Sequence, residues 1–256
     1  MSQPSDSPFS TPILTNGDAG EYPVKGLPPG HRILVLSIGN EALIQSSVWT
    51  ALRDLLPIPM LPQIDRYHRW QDRQASLLGR SLVQLVLKEE GYDSKLLNSW
   101  KTDHYNRPSL EVDFDFNISH CPGMVACAFF RPGPIGIDIE PIRPVRPYDF
   151  RSVLTPEELD LLQKLPDRQC QHLFGTIWTR KEAAIKADGK GFSNTLTDVS
   201  GLGTSIRLEG RTWAISEVPL PDPYICHLAT SRRPKEIIYR HLTIEQLTDY
   251  DKRSSR

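Results

Sequence analysis

The chain has 256 residues, 39% hydrophobic and 24% charged, with 30 Lys+Arg against 31 Asp+Glu and a formal net charge of −1. These fractions exclude wholesale disorder. The near-neutral balance excludes a nucleic-acid binder held by a broadly basic surface.

No run approaches the ~20 apolar residues that span a bilayer. The opening Met1–Pro12 lacks the cationic start and apolar core of a secretory signal. Cys121, Cys127, Cys170 and Cys226 form no CxxC pair, which sets aside zinc-knuckle and thioredoxin-type readings and suits a reduced, cytoplasmic protein.

Taken in order, residues 1–30 read as a disordered tail with six prolines. Ile33–Ile38 is a short apolar run suited to a buried strand. Residues 41–56 predict a short helix stopped by Pro57. Trp70, Leu77, Leu78, Leu82, Leu85 and Val86 recur at spacings of three and four and predict a long helix over 65–90, closed by Gly91. Its basic residues Arg66, Arg69, Arg73 and Arg80 suit a solvated face. Strands over 114–118 and 124–130 flank the turn signal Pro122-Gly123. A third strand, Gly136–Glu140, closes at Pro141. Thr155-Pro156-Glu157-Glu158 is a helix start with a cap, a proline and acids in its first turn. A helix over 167–188 stops at Gly189, and strands follow over 205–208, 212–218 and 224–230. The expected fold is α+β with two lobes, 31–132 and 133–247, and a terminal tail over 248–256.

Three segments could carry chemistry. On a strand, Ile135, Ile137 and Ile139 share one face, and Gly136, Asp138 and Glu140 the other. The two carboxylates then stand about 7 Å apart, from the rise per residue. They repel unless a cation or donor lies between them. An ordinary acidic edge strand fits this pattern; so does a Mg²⁺ site built from hard oxygen ligands. In Trp178–Lys186, Trp178, Glu182 and Lys186 share a helical stripe. Glu182 and Lys186 could be a plain ion pair, or a third carboxylate and a phosphate-binding cation. Phe116-Asn117-Ile118-Ser119-His120 puts a histidine at a strand end, suited either to a structural hydrogen bond or to donating to phosphate.

Together these segments resemble the 4′-phosphopantetheinyl transferases, in particular the longer branch of that family. The resemblance rests on Asn106-Arg107-Pro108, Phe116–His120, Gly136-Ile137-Asp138-Ile139-Glu140, and Trp178–Lys186 followed by Gly189-Lys190-Gly191, and it spans roughly residues 60–230. It implies two similar α/β lobes in a pseudo-twofold arrangement, with coenzyme A in the cleft between them. It also implies Mg²⁺-dependent transfer of the phosphopantetheine arm to a serine of an apo acyl or peptidyl carrier protein, releasing adenosine 3′,5′-bisphosphate. Asp138, Glu140 and Glu182 would hold the metal. Glu182 or Glu140 would be the base, and Lys186 would offset phosphate charge with Lys181 nearby. His120 and Arg66 would meet the 3′-phosphate, Arg107 and Pro108 would lie along the adenine, and Ser119 would add a hydroxyl. Arg143 and Arg146 would face an acidic carrier protein, and a single chain with both lobes would act as a monomer without nucleic acid or membrane. Two departures stand out: relatives carry Gly-Lys-Pro where this chain has Asn106-Arg107-Pro108, and an arginine near position 75, where this chain has Ala75. The main rival is a metal-dependent nuclease, which would need a basic face. A non-catalytic coenzyme A or nucleotide-binding module would have no need of Asp138, Glu140 and Glu182 together.

Overall fold

Two sheets pack face to face through β-branched and small side chains, and a long helix covers the outer face of each. The computed structural model describes residues 13–16, 27–131, 133–191 and 196–248. The first sheet has the order β1 (Ile13–Asn16), β11 (Glu236–Leu242), β2 (Arg32–Asn40), β6 (Gly123–Phe130), β5 (Asp115–Cys121). β11 runs parallel to both β1 and β2, whereas β2, β6 and β5 are antiparallel. The second sheet, wholly antiparallel, has the order β7 (Ile135–Pro141), β10 (Tyr224–Thr230), β9 (Arg211–Glu217), β8 (Ser205–Leu208). Two short strands, β3 (Lys101–Thr102) and β4 (Pro108–Ser109), make a small ribbon beside the first sheet.

The helices α1 (Ser46–Asp54), α2 (Leu61–Asp65) and α3 (Trp70–Glu89) belong to the first lobe. α3 buries Leu77, Leu78, Leu82, Val83 and Val86 against Leu34, Leu36 and Ile38 of β2 and Val125, Cys127 and Phe129 of β6. The second lobe has α4 (Pro156–Gln163) and α5 (Asp167–Asp188). Between the sheets lie Ile33, Val35, Ala126 and Ala128 on one side and Ile135, Ile137, Ile139 and Leu228 on the other. Each isoleucine, valine or leucine among them contributes ~1.5–3 kcal/mol by leaving water. The alternation expected for residues 135–140 therefore holds, with the isoleucines inward and Gly136, Asp138 and Glu140 turned toward α5.

Gly136 sets how close α5 comes. A Cβ there would overlap the Ala183 carbonyl oxygen and the Ala187 nitrogen. The strand and the helix touch backbone to backbone, which carries Glu182 and Lys186 to the acidic face of β7.

The lobes also join edge to edge, at a seam that no backbone ladder forms. The Asn117 side-chain oxygen accepts the Ile137 N–H at 3.0 Å, and the Asp115 carboxylate accepts the Ile135 N–H at 2.8 Å. These side chains of β5 take the place of a neighbouring strand's carbonyls, so β5 and β7 run in fixed register.

Several elements differ from the sequence expectation. The helix expected over 65–90 starts only at Trp70, because the chain turns at Tyr67–Arg69 after α2, with Arg69 extended at φ −77°, ψ 133°. The turn buries Ile64 while Arg66 stays exposed. The tail over 1–30 contains a paired strand, β1, and a buried Leu27; residues 1–12 and 17–26 lie outside the described residues. The lobe expected to end at 247 gives its last strand, β11, back to the first sheet. Thr243 and Gln246 then cap a final helical turn that buries Leu247 in the first core, and of the tail expected over 248–256 only Thr248 lies among the described residues. The Thr155 start is a complete capping box with Glu158, and α5 ends at Gly189 with φ 71°.

Candidate active site

Asp138 sits at the middle of β7 and is nearly closed to water. Its Oδ1 accepts from the Lys186 ammonium at 2.6 Å and from the Ser119 hydroxyl at 3.0 Å, and Lys186 also donates to Ser119 at 2.9 Å. Three elements from both lobes thus meet at one oxygen. Its other oxygen, Oδ2, is buried with no hydrogen-bond partner, an open acceptor of the kind a cation or donor ordinarily satisfies.

Glu140 is more open, with the Arg143 guanidinium 3.9 Å away. Burial and then the Asp138 charge push its carboxyl up, while the Trp178 indole donates to it. Glu182 lies one turn before Lys186 on α5. Burial, then the Asp138 charge, raise its carboxyl to about 7 against the opposing pull of Lys186, and Glu140 adds to the rise. Asp138, Glu140 and Glu182 therefore feel one another's charge. Among the described residues no three His, Cys, Asp or Glu side chains already stand in the arrangement of a metal site. The donor chemistry nonetheless fits a hard divalent cation: three carboxylates in one field, one with a buried free oxygen.

Two adjoining cavities open beside this cluster. One, of about 290 Å³, is lined by Tyr105, Arg107, Asn117, Glu182, Lys186 and Gly191. The other, of about 230 Å³, is lined by Arg66, Tyr67, Arg80, Trp100, Thr102 and His120. Asn106, Pro108 and Ile118 border both.

The structure brings Ser119, Asp138, Glu182 and Lys186 together, with Glu140 at their edge and Arg66, His120 and Pro108 along the cavities. Burial, then the Lys186 charge, holds the His120 imidazole below its ordinary value. Arg107 lines the first cavity, but its donors are committed. It pairs with the Asp115 carboxylate, donates to the Lys186 carbonyl and reaches the Ile135 carbonyl at 3.1 Å. Lys181 is not brought to the site. It is 1% exposed, and its ammonium lies 2.6 Å from Glu158 and 2.8 Å from the Val153 carbonyl. Glu158 also accepts from the Thr155 and Gly201 amides. Adjacent helix positions are turned about 100° apart, so Lys181 and Glu182 cannot share a face.

The sequence pattern of the 4′-phosphopantetheinyl transferase superfamily matches residues 134–222. The chain is 32% identical over 169 residues to the 4′-phosphopantetheinyl transferase Sfp of Bacillus subtilis (strain 168), covering 64% of this chain and 71% of that protein. The chain belongs to the 4′-phosphopantetheinyl transferase family. A second member, HetI of Nostoc sp. (strain PCC 7120 / SAG 25.82 / UTEX 2576), is 32% identical over 142 residues, 52% of this chain and 59% of its own. In this 4′-phosphopantetheinyl transferase the superfamily match opens next to β7 and takes in Asp138, Glu140, Glu182 and Lys186.

Sequence reading missed Asp115 and Asn117 as seam residues and Arg80 as a cavity residue. Nothing local marks the first two, since their partners lie 20 residues away. Arg80 carried one signal: it shares a helical face with Ser76, itself a cavity residue.

Proposed function

We propose that this transferase moves the 4′-phosphopantetheine arm of coenzyme A to a serine of an apo carrier protein, in a Mg²⁺-dependent reaction that releases adenosine 3′,5′-bisphosphate. The observation that carries this reading is the cluster of Ser119, Asp138, Glu182 and Lys186 at the lobe seam, beside two cavities of unlike charge. The first cavity mixes Glu182 with Lys186 and takes the diphosphate. The second presents Arg66, Arg80 and His120, with no acidic residue in its described lining, and takes the 3′-phosphate.

Asp138, Glu140 and Glu182 would hold the magnesium ion, which when bound neutralises charge growing on the diphosphate oxygens. Lys186 neutralises phosphate charge from the helix side. Its bond to Ser119 and Asp138 fixes the ammonium, so little reorganisation is needed when charge develops. Glu182 accepts the carrier serine's proton. Arg107, already braced, holds the end of α5 and so the height of Lys186.

Arg143 and Arg146 leave the site along an exposed stretch after Glu140, toward Tyr148 and Phe150. They form a basic edge for an acidic carrier protein. Both lobes lie in one chain, which supports a monomer as the working unit. The four cysteines are free and buried, in keeping with the cytoplasm. No helix among the described residues is long and apolar enough to cross a membrane.

The test is incubation with coenzyme A, Mg²⁺ and a panel of apo carrier proteins, read by mass spectrometry. A gain of one phosphopantetheine arm on the carrier serine is expected. No gain on any carrier would overturn the reading.

A further inference from the structure

His227 stands on β10 directly opposite Asp138 of β7. Partners across an antiparallel pair point to the same side, with Cβ atoms about 5 Å apart, so both side chains meet α5. His227 is 1% exposed, and two consecutive residues of the helix grip its ring. Nδ1 lies 2.8 Å from the Thr179 hydroxyl, and Arg180 Nε donates to Nε2 at 3.3 Å. The Thr179 hydroxyl proton is already given to the Gly175 carbonyl at 2.8 Å. Its oxygen therefore accepts, so Nδ1 carries the imidazole proton and Nε2 stays bare for Arg180. Arg180 is anchored in turn, Nη1 donating to the Gly201 and Leu202 carbonyls at 3.2 Å each. The bonds run in one direction and leave the buried imidazole neutral with both nitrogens used.

Farther along α5 the contact with β7 is through small groups. Ala183 and Ala187 lie over Gly136, which fixes how near the helix comes. Methyl groups against a glycine offer no ridge to set its rotation. Thr179 and Arg180 project about 100° apart around the helix, so a ring held by both resists any turn of α5. Glu182 follows two residues after Arg180, and Lys186 one turn after that. Arg107 grips the far end, at the Lys186 carbonyl. The residues proposed for proton and phosphate chemistry thus lie between two polar pins.

We infer that His227 is a positioning residue for the transfer reaction: its grip on Thr179 and Arg180 sets the rotation of α5, and so the place of Glu182 and Lys186 against Asp138. The inference rests on the proposed function. His227 lines neither cavity, so its loss should lower turnover and largely spare donor binding. A shift of about 1 Å in a reacting group can cost ~100-fold in rate.

The test measures kcat, the KM for coenzyme A and the melting temperature of wild type, His227→Leu, His227→Asn and His227→Gln. Transfer is assayed well below every melting temperature. His227→Leu fills the site and removes both bonds. Its kcat should fall by about 10- to 100-fold, with the KM within about 3-fold of wild type. His227→Asn returns a donor near Nδ1 and His227→Gln an acceptor near Nε2; each should recover part of the lost kcat. Thr179→Val removes the hydroxyl alone and should lower kcat in the same sense. Combined with His227→Leu, it should cost less than the product of the two single losses. A folded His227→Leu with wild-type kcat overturns the inference, as does a loss carried by KM alone or one that neither amide relieves. If His227→Leu does not fold, Thr179→Val decides by the same split between kcat and KM. Absence of transfer by wild type would instead sink the proposed function.

Discussion

The Lys186 ammonium lies 2.6 Å from Oδ1 of Asp138. The Ser119 hydroxyl touches both, donating to the carboxylate and accepting from the ammonium. This contact spends Lys186 on Asp138 and leaves Glu182, one helical turn away, in the field of two carboxylates. Burial first, and then that field, hold the Glu182 proton to about 7 against the pull of Lys186.

Glu182→Gln keeps the shape and removes the proposed base and its charge. Turnover should fall by at least ~100-fold, as expected for a lost general base or metal ligand. Native stability at pH 8 should hold or rise, because a desolvated charge is gone. Steady-state transfer and urea unfolding on the same preparation check both. Turnover at the wild-type level would remove Glu182 from the chemistry.

Lys181→Met tests the separation of the two neighbours on α5. The substitution leaves Glu158 buried without its cation, so unfolding free energy should drop by about 3–5 kcal/mol. The KM for coenzyme A, measured well below the melting temperature, should stay within about 2-fold of wild type. A selective rise in that KM with stability intact would return Lys181 to the donor site.

How far the sequence could be read depended on whether a signal was local. Ile135–Glu140 showed its two faces because strand alternation is enforced over six residues. The Thr155 box and the Gly189 stop were legible for the same reason. The seam was not. Asp115 and Asn117 act through side-chain-to-backbone bonds to residues 20 positions on, and no periodicity records such a bond. The return of β11 to the first sheet was equally hidden, since parallel pairing with β2 joins segments some 200 residues apart. Helix phase was the third gap. Trp178, Glu182 and Lys186 were correctly grouped by i, i+4 spacing. Lys181 belongs to the same Trp178–Lys186 motif, but its phase on α5 turns it away from the site to Glu158.

Asn117→Ala should show what the seam does. The buried Ile137 amide loses its acceptor, a cost of about 1–3 kcal/mol. Because Ser119 follows on the same strand, its register against Asp138 should loosen and kcat should fall more than KM rises. Unfolding curves and transfer kinetics measure the two effects. A loss of stability with kcat unchanged would confine Asn117 to holding the lobes together.

His227 governs part of the acid limb. It is buried beneath α5, its Nδ1 2.8 Å from the Thr179 hydroxyl, and its Nε2 accepts from Arg180 at 3.3 Å. Burial, then the Arg180 charge, lower it to about 3 from an ordinary 6.5. The unfolded chain thus binds a proton that the native state refuses between about pH 6.5 and pH 3. Stability from this group is present above that window and lost as pH falls through it, at up to about 1.4 kcal/mol per pH unit. Glu182 acts in the opposite sense, its native form binding the extra proton between its ordinary 4.5 and about 7. The difference between wild type and His227→Gln isolates the histidine. His227→Gln should be less stable at pH 7 and lose less on acidification to pH 5, by urea midpoints. Parallel pH profiles would contradict this.

Calorimetric binding of coenzyme A without carrier protein tests most directly the proposal that the carboxylates at the seam hold coenzyme A through a divalent ion. Binding to wild type should be tight with Mg²⁺, at least ~10-fold weaker with excess EDTA, and insensitive to Mg²⁺ in Asp138→Ala. Equal affinity with and without Mg²⁺ in wild type, or a full Mg²⁺ effect in Asp138→Ala, would contradict it.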